Sequence, residues 1–189
     1  MYHEININYK PLENALNKIL EVLNYDRSKC NLQLYNESIN LDFTKSQVDE
    51  ESLRIAKQTP HKDKGDANVI YFDHFEYKQL DQMIADLVTT MKLPNFGKSF
   101  GVSNRVWYPS NGYMGWHTNS AAKGWRLYCS HAREANKSFF RYQDPKTNEI
   151  VTSWDNQGWK FRLFLINDVD LWHCVYSETD RISLGYRFF

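Results

Sequence analysis

The chain has 189 residues, enough for one domain, or one domain with an appendage, that buries a core without metal or disulfide staples. Apolar residues at 42% exclude a disordered chain, and 23 basic residues against 23 acidic ones leave no net charge to draw it to nucleic acid or membrane. The three cysteines, Cys30, Cys129 and Cys174, are too few and too far apart for a disulfide framework or zinc finger. No apolar run reaches membrane-spanning length, and the N-terminus lacks a signal peptide's basic-then-apolar layout, so a reducing, cytoplasmic setting is expected. Aromatic residues stand out at 15%, and all six tryptophans lie between Trp107 and Trp172. Residues 1–100 carry 12 basic and 15 acidic side chains, whereas the remainder carries 11 and 8, with seven of the nine arginines.

In chain order, the first region (1–99) reads as a mainly helical support for the C-terminal half. Apolar side chains at 12, 15, 16, 19, 20 and 23 have the helical period, with Pro11 in the first turn. Ser46 to Ala56 is a weaker helix with Ser46 as its expected cap. Thr59 to Asn68 reads as a loop, Val69 to Phe72 as β-prone, and Tyr77 to Met91 as a second strong helix ended by Pro94 and Gly97. From residue 100 the pattern changes to eight short strands: 102–108, 114–118, 125–129, 138–143, 150–154, 160–166, 171–176 and 182–188. Turn signals separate them, as in Pro109-Ser110-Asn111-Gly112 and Asp155-Asn156-Gln157-Gly158. Eight such strands predict a jelly roll or cupin-like double-stranded β-helix, making the chain α+β: a β-barrel core over 100–189 with N-terminal helices, compact as a whole.

Two histidines stand inside predicted strands. His117 lies in Gly115-Trp116-His117-Thr118-Asn119, and in an extended strand Asn119 would share its face. His173 lies 56 residues later in Leu171-Trp172-His173-Cys174. Two imidazoles from separate strands can converge on one divalent metal with open positions beside it, or they can be ordinary buried histidines. Arg181-Ile182-Ser183 opens the last strand, and an arginine with a neighbouring hydroxyl on one face makes a carboxylate clamp. Arg126, Tyr128 and Ser130 alternate with Leu127 and Cys129, so that strand too has one polar face.

The order His-x-Asn, distal His, Arg-x-Ser resembles the Fe(II)/2-oxoglutarate-dependent dioxygenases over residues 100–189. The resemblance implies a hydroxylase that uses Fe(II), 2-oxoglutarate and O₂ to oxidise a peptide side chain or small metabolite, releasing succinate and CO₂. It further implies His117 and His173 as iron ligands and Arg181 with Ser183 on the distal carboxylate of 2-oxoglutarate. The family's carboxylate position holds Asn119, a neutral and weaker ligand. The aspartyl/asparaginyl β-hydroxylase branch is similar in lacking that carboxylate, and its second arginine region makes Arg126 and Tyr128 cofactor-binding candidates. Asn119 could then bind iron through its carbonyl, hold a coordinated water, or mark an inactive relative. Asp155, Asp170, Glu178 and Asp180 are alternative third ligands, each at a turn, where acids are common for backbone reasons.

The remaining chemistry-bearing residues read as structural. His131 lies at a strand end, and His3, His61 and His74 lie in polar stretches. Trp116 and Trp172, each one residue before a candidate ligand, should face away from it and pack the barrel wall, while Cys129 and Cys174 should be buried thiols. No dinucleotide fingerprint, P-loop or hydrolase elbow is present. Two competing functions remain: a non-enzymatic cupin-like binding protein whose metal site has degenerated at Asn119, and a structural module whose aromatics anchor an interface. Neither nucleic acid nor membrane is an expected partner.

Overall fold

A computed structural model describes residues 2–59, 66–72, 77–94 and 99–189. Its frame is two antiparallel sheets laid face to face. The strands after residue 100 are β5 (Phe100–Tyr108), β6 (Gly112–His117), β7 (Gly124–Ala132), β8 (Ser138–Gln143), β9 (Ile150–Trp154), β10 (Gly158–Ile166), β11 (His173–Ser177) and β12 (Arg181–Phe188). They are divided between the sheets in the orders β10-β7-β12-β5 and β6-β11-β8-β9. This is the expected double-stranded β-helix.

The first region is more than helical cover. It also supplies β1 (Tyr2–Ile5), which pairs with β10, β2 (Leu32–Gln33) and β4 (Ile70–Tyr71), which extend the first sheet beyond β5, and β3 (Ala67–Asn68), which pairs with β6. Helix α1 (Lys10–Leu23) has Pro11 in its first turn and stops at Asn24, whose left-handed backbone closes the last turn. Helix α4 (Lys78–Thr90) runs as its period predicts. Leu12, Leu16, Ile84 and Val88 from these helices pack on Leu127, Cys129, Ile182 and Leu184, the outer face of the first sheet.

The expected helix from Ser46 is instead two. Asn40 caps α2 (Leu41–Ser46) by accepting from the Phe43 amide, and Asp49 caps α3 (Glu50–Gln58) by accepting from the Ser52 amide. Ser46 therefore ends a helix. Asp49, followed by two acids that favour a helix N-terminus, starts the next one. Leu53 and Ala56 of α3 cover the outer face of the second sheet against Trp116, Cys174 and Tyr176.

Strand parity then sends the other side chains inward. Val106, Tyr108, Tyr128, Phe140, Phe164 and Val175 form the core between the sheets. Cys129 and Cys174 are fully buried free thiols, as expected. The tryptophans fasten outer faces to their cover: Trp116 Nε1 donates to the Asp49 carbonyl, Trp125 Nε1 to that of Pro94, and Trp159 Nε1 to the Asn17 side chain, at 2.8–2.9 Å. Among the described residues no helix is long and apolar enough to cross a membrane.

Candidate active site in the barrel interior

A cavity of about 790 Å³ opens between the sheets. His117 and His173 both line it, from the neighbouring strands β6 and β11. Their ring centroids are 4.2 Å apart, and the two residues are direct cross-strand partners. A register shift in β6 helps: the pairing runs His173↔His117 and then Val175↔Met114, so the extra residue puts Met114 and His117 on the same, inward side. Both rings are buried and oriented alike. His117 Nδ1 bonds the Gly115 carbonyl at 2.8 Å, and His173 Nδ1 the Leu171 carbonyl at 2.7 Å. A neutral ring with its proton on Nδ1 keeps its lone pair on Nε2, the arrangement that orients imidazole as a metal ligand. Burial, reinforced by His117, pushes the His173 pKa well below its usual value, so the ring stays neutral.

Asn119 also lines the cavity, but not by strand parity. β6 ends at His117, and Asn119 has a left-handed backbone (φ 56°) that turns its amide onto His173, with Nδ2 at 3.0 Å from Nε2. No acid completes a triad with the two imidazoles: among the described residues no three His, Cys, Asp or Glu side chains cluster. Of the candidate acids, Asp155 and Glu178 are held by other partners, Asp180 accepts from Trp107 Nε1 and Arg133, and Asp170 is exposed.

Arg181 and Ser183 face the barrel interior, both fully buried, at the end away from the histidines. Neither lines the cavity directly. Arg181 Nε donates to Asp155 Oδ2 and Nη2 to Ser130 Oγ, both at 2.9 Å. Arg162 Nη2 takes the other Asp155 oxygen at 2.6 Å, and Ser138 Oγ donates to the carboxylate at 2.7 Å. Burial alone would raise the Asp155 pKa, but the two guanidiniums overcome that and hold it well below the usual carboxylate range. One carboxylate thus serves two buried arginines. Glu4, which also feels Arg162, is paired with Lys160 at 3.0 Å, so the cluster retains a positive charge. Nη1 of Arg181 and Nη1 of Arg162 are buried with no hydrogen-bond partner. Tyr108, whose ring lies 5.2 Å from the Arg181 guanidinium carbon, forms part of the cavity wall, so Arg181 stands directly behind that wall.

Tyr128 and Arg126 line the cavity from β7. Burial raises the Tyr128 pKa against the opposing pull of Arg126, which keeps the phenol protonated and able to donate. Arg126 is 2% exposed. Its guanidinium donates to the backbone carbonyls of Ala122 and Trp125 and meets no carboxylate among the described residues. Arg187, which no sequence motif singles out, lines the cavity beside it.

His131 faces away, on the outer side of β7 against Trp159 and Tyr25. His3 is exposed on β1, and His61 and His74 lie outside the described residues. Trp116 and Trp172 pack on the outer face, and no tryptophan lines the cavity.

No protein-family model matches the chain, and no curated protein matches it in sequence. Solved structures do. A prolyl-4-hydroxylase from Pseudomonas putida superposes with a TM-score of 0.59 at 13% identity, covering 99% of this chain and 91% of that one. A Trichoplax adhaerens prolyl hydroxylase bound to a hypoxia-inducible-factor peptide fragment gives 0.46 at 13% identity, covering 95% and 91%. A 2OG-Fe(II) oxygenase family oxidoreductase from Burkholderia pseudomallei gives 0.48 at 10%, covering 97% and 93%. The first likeness establishes a shared fold, the double-stranded β-helix.

Proposed function

We propose that the chain is an Fe(II)- and 2-oxoglutarate-dependent oxygenase that hydroxylates a C–H bond of a peptide side chain or small metabolite. The observation that carries this reading is the pair of buried imidazoles, with ring centroids 4.2 Å apart, each with Nδ1 on a backbone carbonyl and both at the wall of one cavity.

The residues fit both groups the reading requires. His117 and His173 would hold the metal through Nε2. Asn119 would offer its carbonyl oxygen once the amide turns over, or hold a water on the metal. That amide exchange costs the 3.0 Å hydrogen bond to His173. For 2-oxoglutarate, the deep cluster supplies a surplus positive charge and an orphaned Nη1 on Arg181, the donor a distal carboxylate needs. Ser183 lies on the same inward face, and Tyr128, between the histidines and that cluster, would donate from a phenol that burial keeps protonated. Iron held there with 2-oxoglutarate and O₂ would supply the oxidising chemistry of such a reaction, in which the two oxygen atoms would end in the hydroxylated product and in succinate, with CO₂ released. The protein's own part is to orient the ligands, neutralise the diacid's charge and keep the space between the sheets apolar around them through Val175, Met114 and Tyr108.

One observation favours the non-enzymatic alternative, a carboxylate-binding barrel with a lapsed metal site: Asn119 is neutral and engages the His173 lone pair. Calorimetric titration with Mn(II), a redox-inert stand-in, separates the two. The oxygenase reading predicts one site per chain, weakened at least about 100-fold in His173→Ala, since losing a ligand exceeds the 10–100-fold typical of losing a ligand's supporting partner. An unchanged affinity in that variant removes His173 from the centre, and no uptake by the wild type favours the binding protein.

A further inference from the structure

The register of the first sheet sets Arg187 of β12 directly opposite Arg126 of β7. Like charges in that position repel, and among the described residues neither forms an ion pair, although Asp66 lines the same cavity. Arg126 is 2% exposed and both arginines line the cavity wall that also holds His117 and His173. Burial and then the Arg187 charge pull the Arg126 pKa down to about 10 while Tyr128 opposes them, a sign of how poorly the guanidinium is compensated. The surroundings are prepared for a ligand. Ser103 and Asn104 of β5 also line the cavity, and the Asn104 Oδ1 is buried without a partner. They reach in because Gly185, opposite, has no side chain: a Cβ there would lie 2.6 Å from both Asn104 Oδ1 and Ser103 Oγ. The exposed lining comprises apolar Leu34 and Val102, at 50% and 41% exposure, together with one acid, Asp66.

We infer that Arg126 and Arg187 form a second anion site, distinct from the Arg181 cluster, which binds a carboxylate or phosphate group of the substrate beside the metal centre. The inference rests on the oxygenase reading for the word substrate and on the register for the site itself. Arg181 and Arg187 face the same way on β12, six residues apart, which at roughly 3.3 Å per residue sets their backbones about 20 Å apart. A five-carbon diacid anchored at Arg181 leaves the Arg126–Arg187 pair for another anion. Its partner is therefore an acidic compound with an apolar body matched to the Leu34, Val102 and Tyr71 rim.

The test uses the full chain loaded with Mn(II) and saturating 2-oxoglutarate, titrated with three probes of one shape: benzoate, phenyl phosphate and neutral benzamide. At least one anion should bind about tenfold or more tighter than benzamide, and the better of the two names the oxyanion. Arg187→Gln should abolish that preference while changing 2-oxoglutarate affinity less than about twofold, and Arg187→Lys should restore part of it. Arg187 is only partly buried, so these variants avoid the folding risk of replacing Arg126. Equal binding of all three probes overturns the inference. So does a parallel loss of 2-oxoglutarate in Arg187→Gln, which would assign the pair to the cosubstrate. If the protein takes up neither metal nor 2-oxoglutarate yet keeps an Arg187-dependent anion preference, the oxygenase reading fails and the anion site stands.

Discussion

The two ends of the barrel interior hold arginines in opposite circumstances. At one end Arg162 and Arg181 grip Asp155 from both sides, with Ser130, Ser138 and Ser153 taking up most of the remaining hydrogen-bonding capacity. At the other end Arg126 and Arg187 face each other, and among the described residues neither forms an ion pair. The same side chain serves as frame in the first case and as receptor in the second. A buried arginine with its carboxylate in place is a structural element; one left with a surplus charge is a structural element only when something else arrives. Arg181 has both characters, since two of its nitrogens are committed and Nη1 is not.

The largest expected effect lies at the framed end. Asp155→Asn keeps the volume but leaves two buried guanidiniums uncompensated, and should cost about 3–5 kcal/mol in denaturant unfolding. A loss under about 1 kcal/mol would mean that the cluster is hydrated and open. The same carboxylate sets a pH dependence. Its pKa is depressed in the folded chain, so its contribution is present above the ordinary aspartate value and is lost as pH falls through the lower, folded value. The wild type should resist acid down to strongly acidic pH, and Asp155→Asn should lose that component of the acid transition.

Next is the residue of mixed character. Arg181→Ala leaves Arg162 to hold Asp155, and should weaken 2-oxoglutarate binding about 100-fold, the scale of charge-assisted hydrogen bonds, while Mn(II) binding alone is unchanged. Equal losses of both would make Arg181 frame only. The smallest effect is at the receptor end. Arg187→Gln relieves a like-charge pair and should stabilise the ligand-free chain by up to about 0.5–1 kcal/mol in thermal or denaturant unfolding. A destabilisation would mean that the stacking of Arg187 over Phe189, 4.0 Å away, outweighs the repulsion.

This contrast also marks what the sequence can disclose. The eight strands after residue 100 are legible because alternation survives wherever one sheet face is apolar, as in Trp125, Leu127 and Cys129 against Arg126, Tyr128 and Ser130. Strand β1 is not, because Tyr2-His3-Glu4-Ile5 has no clean period and forms only by pairing with β10. Helix α2 is hidden if Ser46 is read as a start, since Asn40 and Asp49 make the better caps. The histidines stand out as polar residues in apolar strands, yet their shared face depends on a register shift that no local pattern announces. Asn119 reaches the site through a left-handed turn rather than by the strand parity that its spacing from His117 suggests. Arg187 has no local signal, since its meaning comes from a partner 61 residues away in the chain and next to it in the sheet.

An anaerobic titration with Fe(II) and then 2-oxoglutarate, monitored in the visible spectrum, separates an oxygenase from a binding protein. A working centre gives a weak charge-transfer band that appears only with both present, is lost in His173→Ala and survives in Asn119→Asp. No band, together with no metal uptake by calorimetry, would contradict the oxygenase reading and leave the barrel as a binding protein for anions.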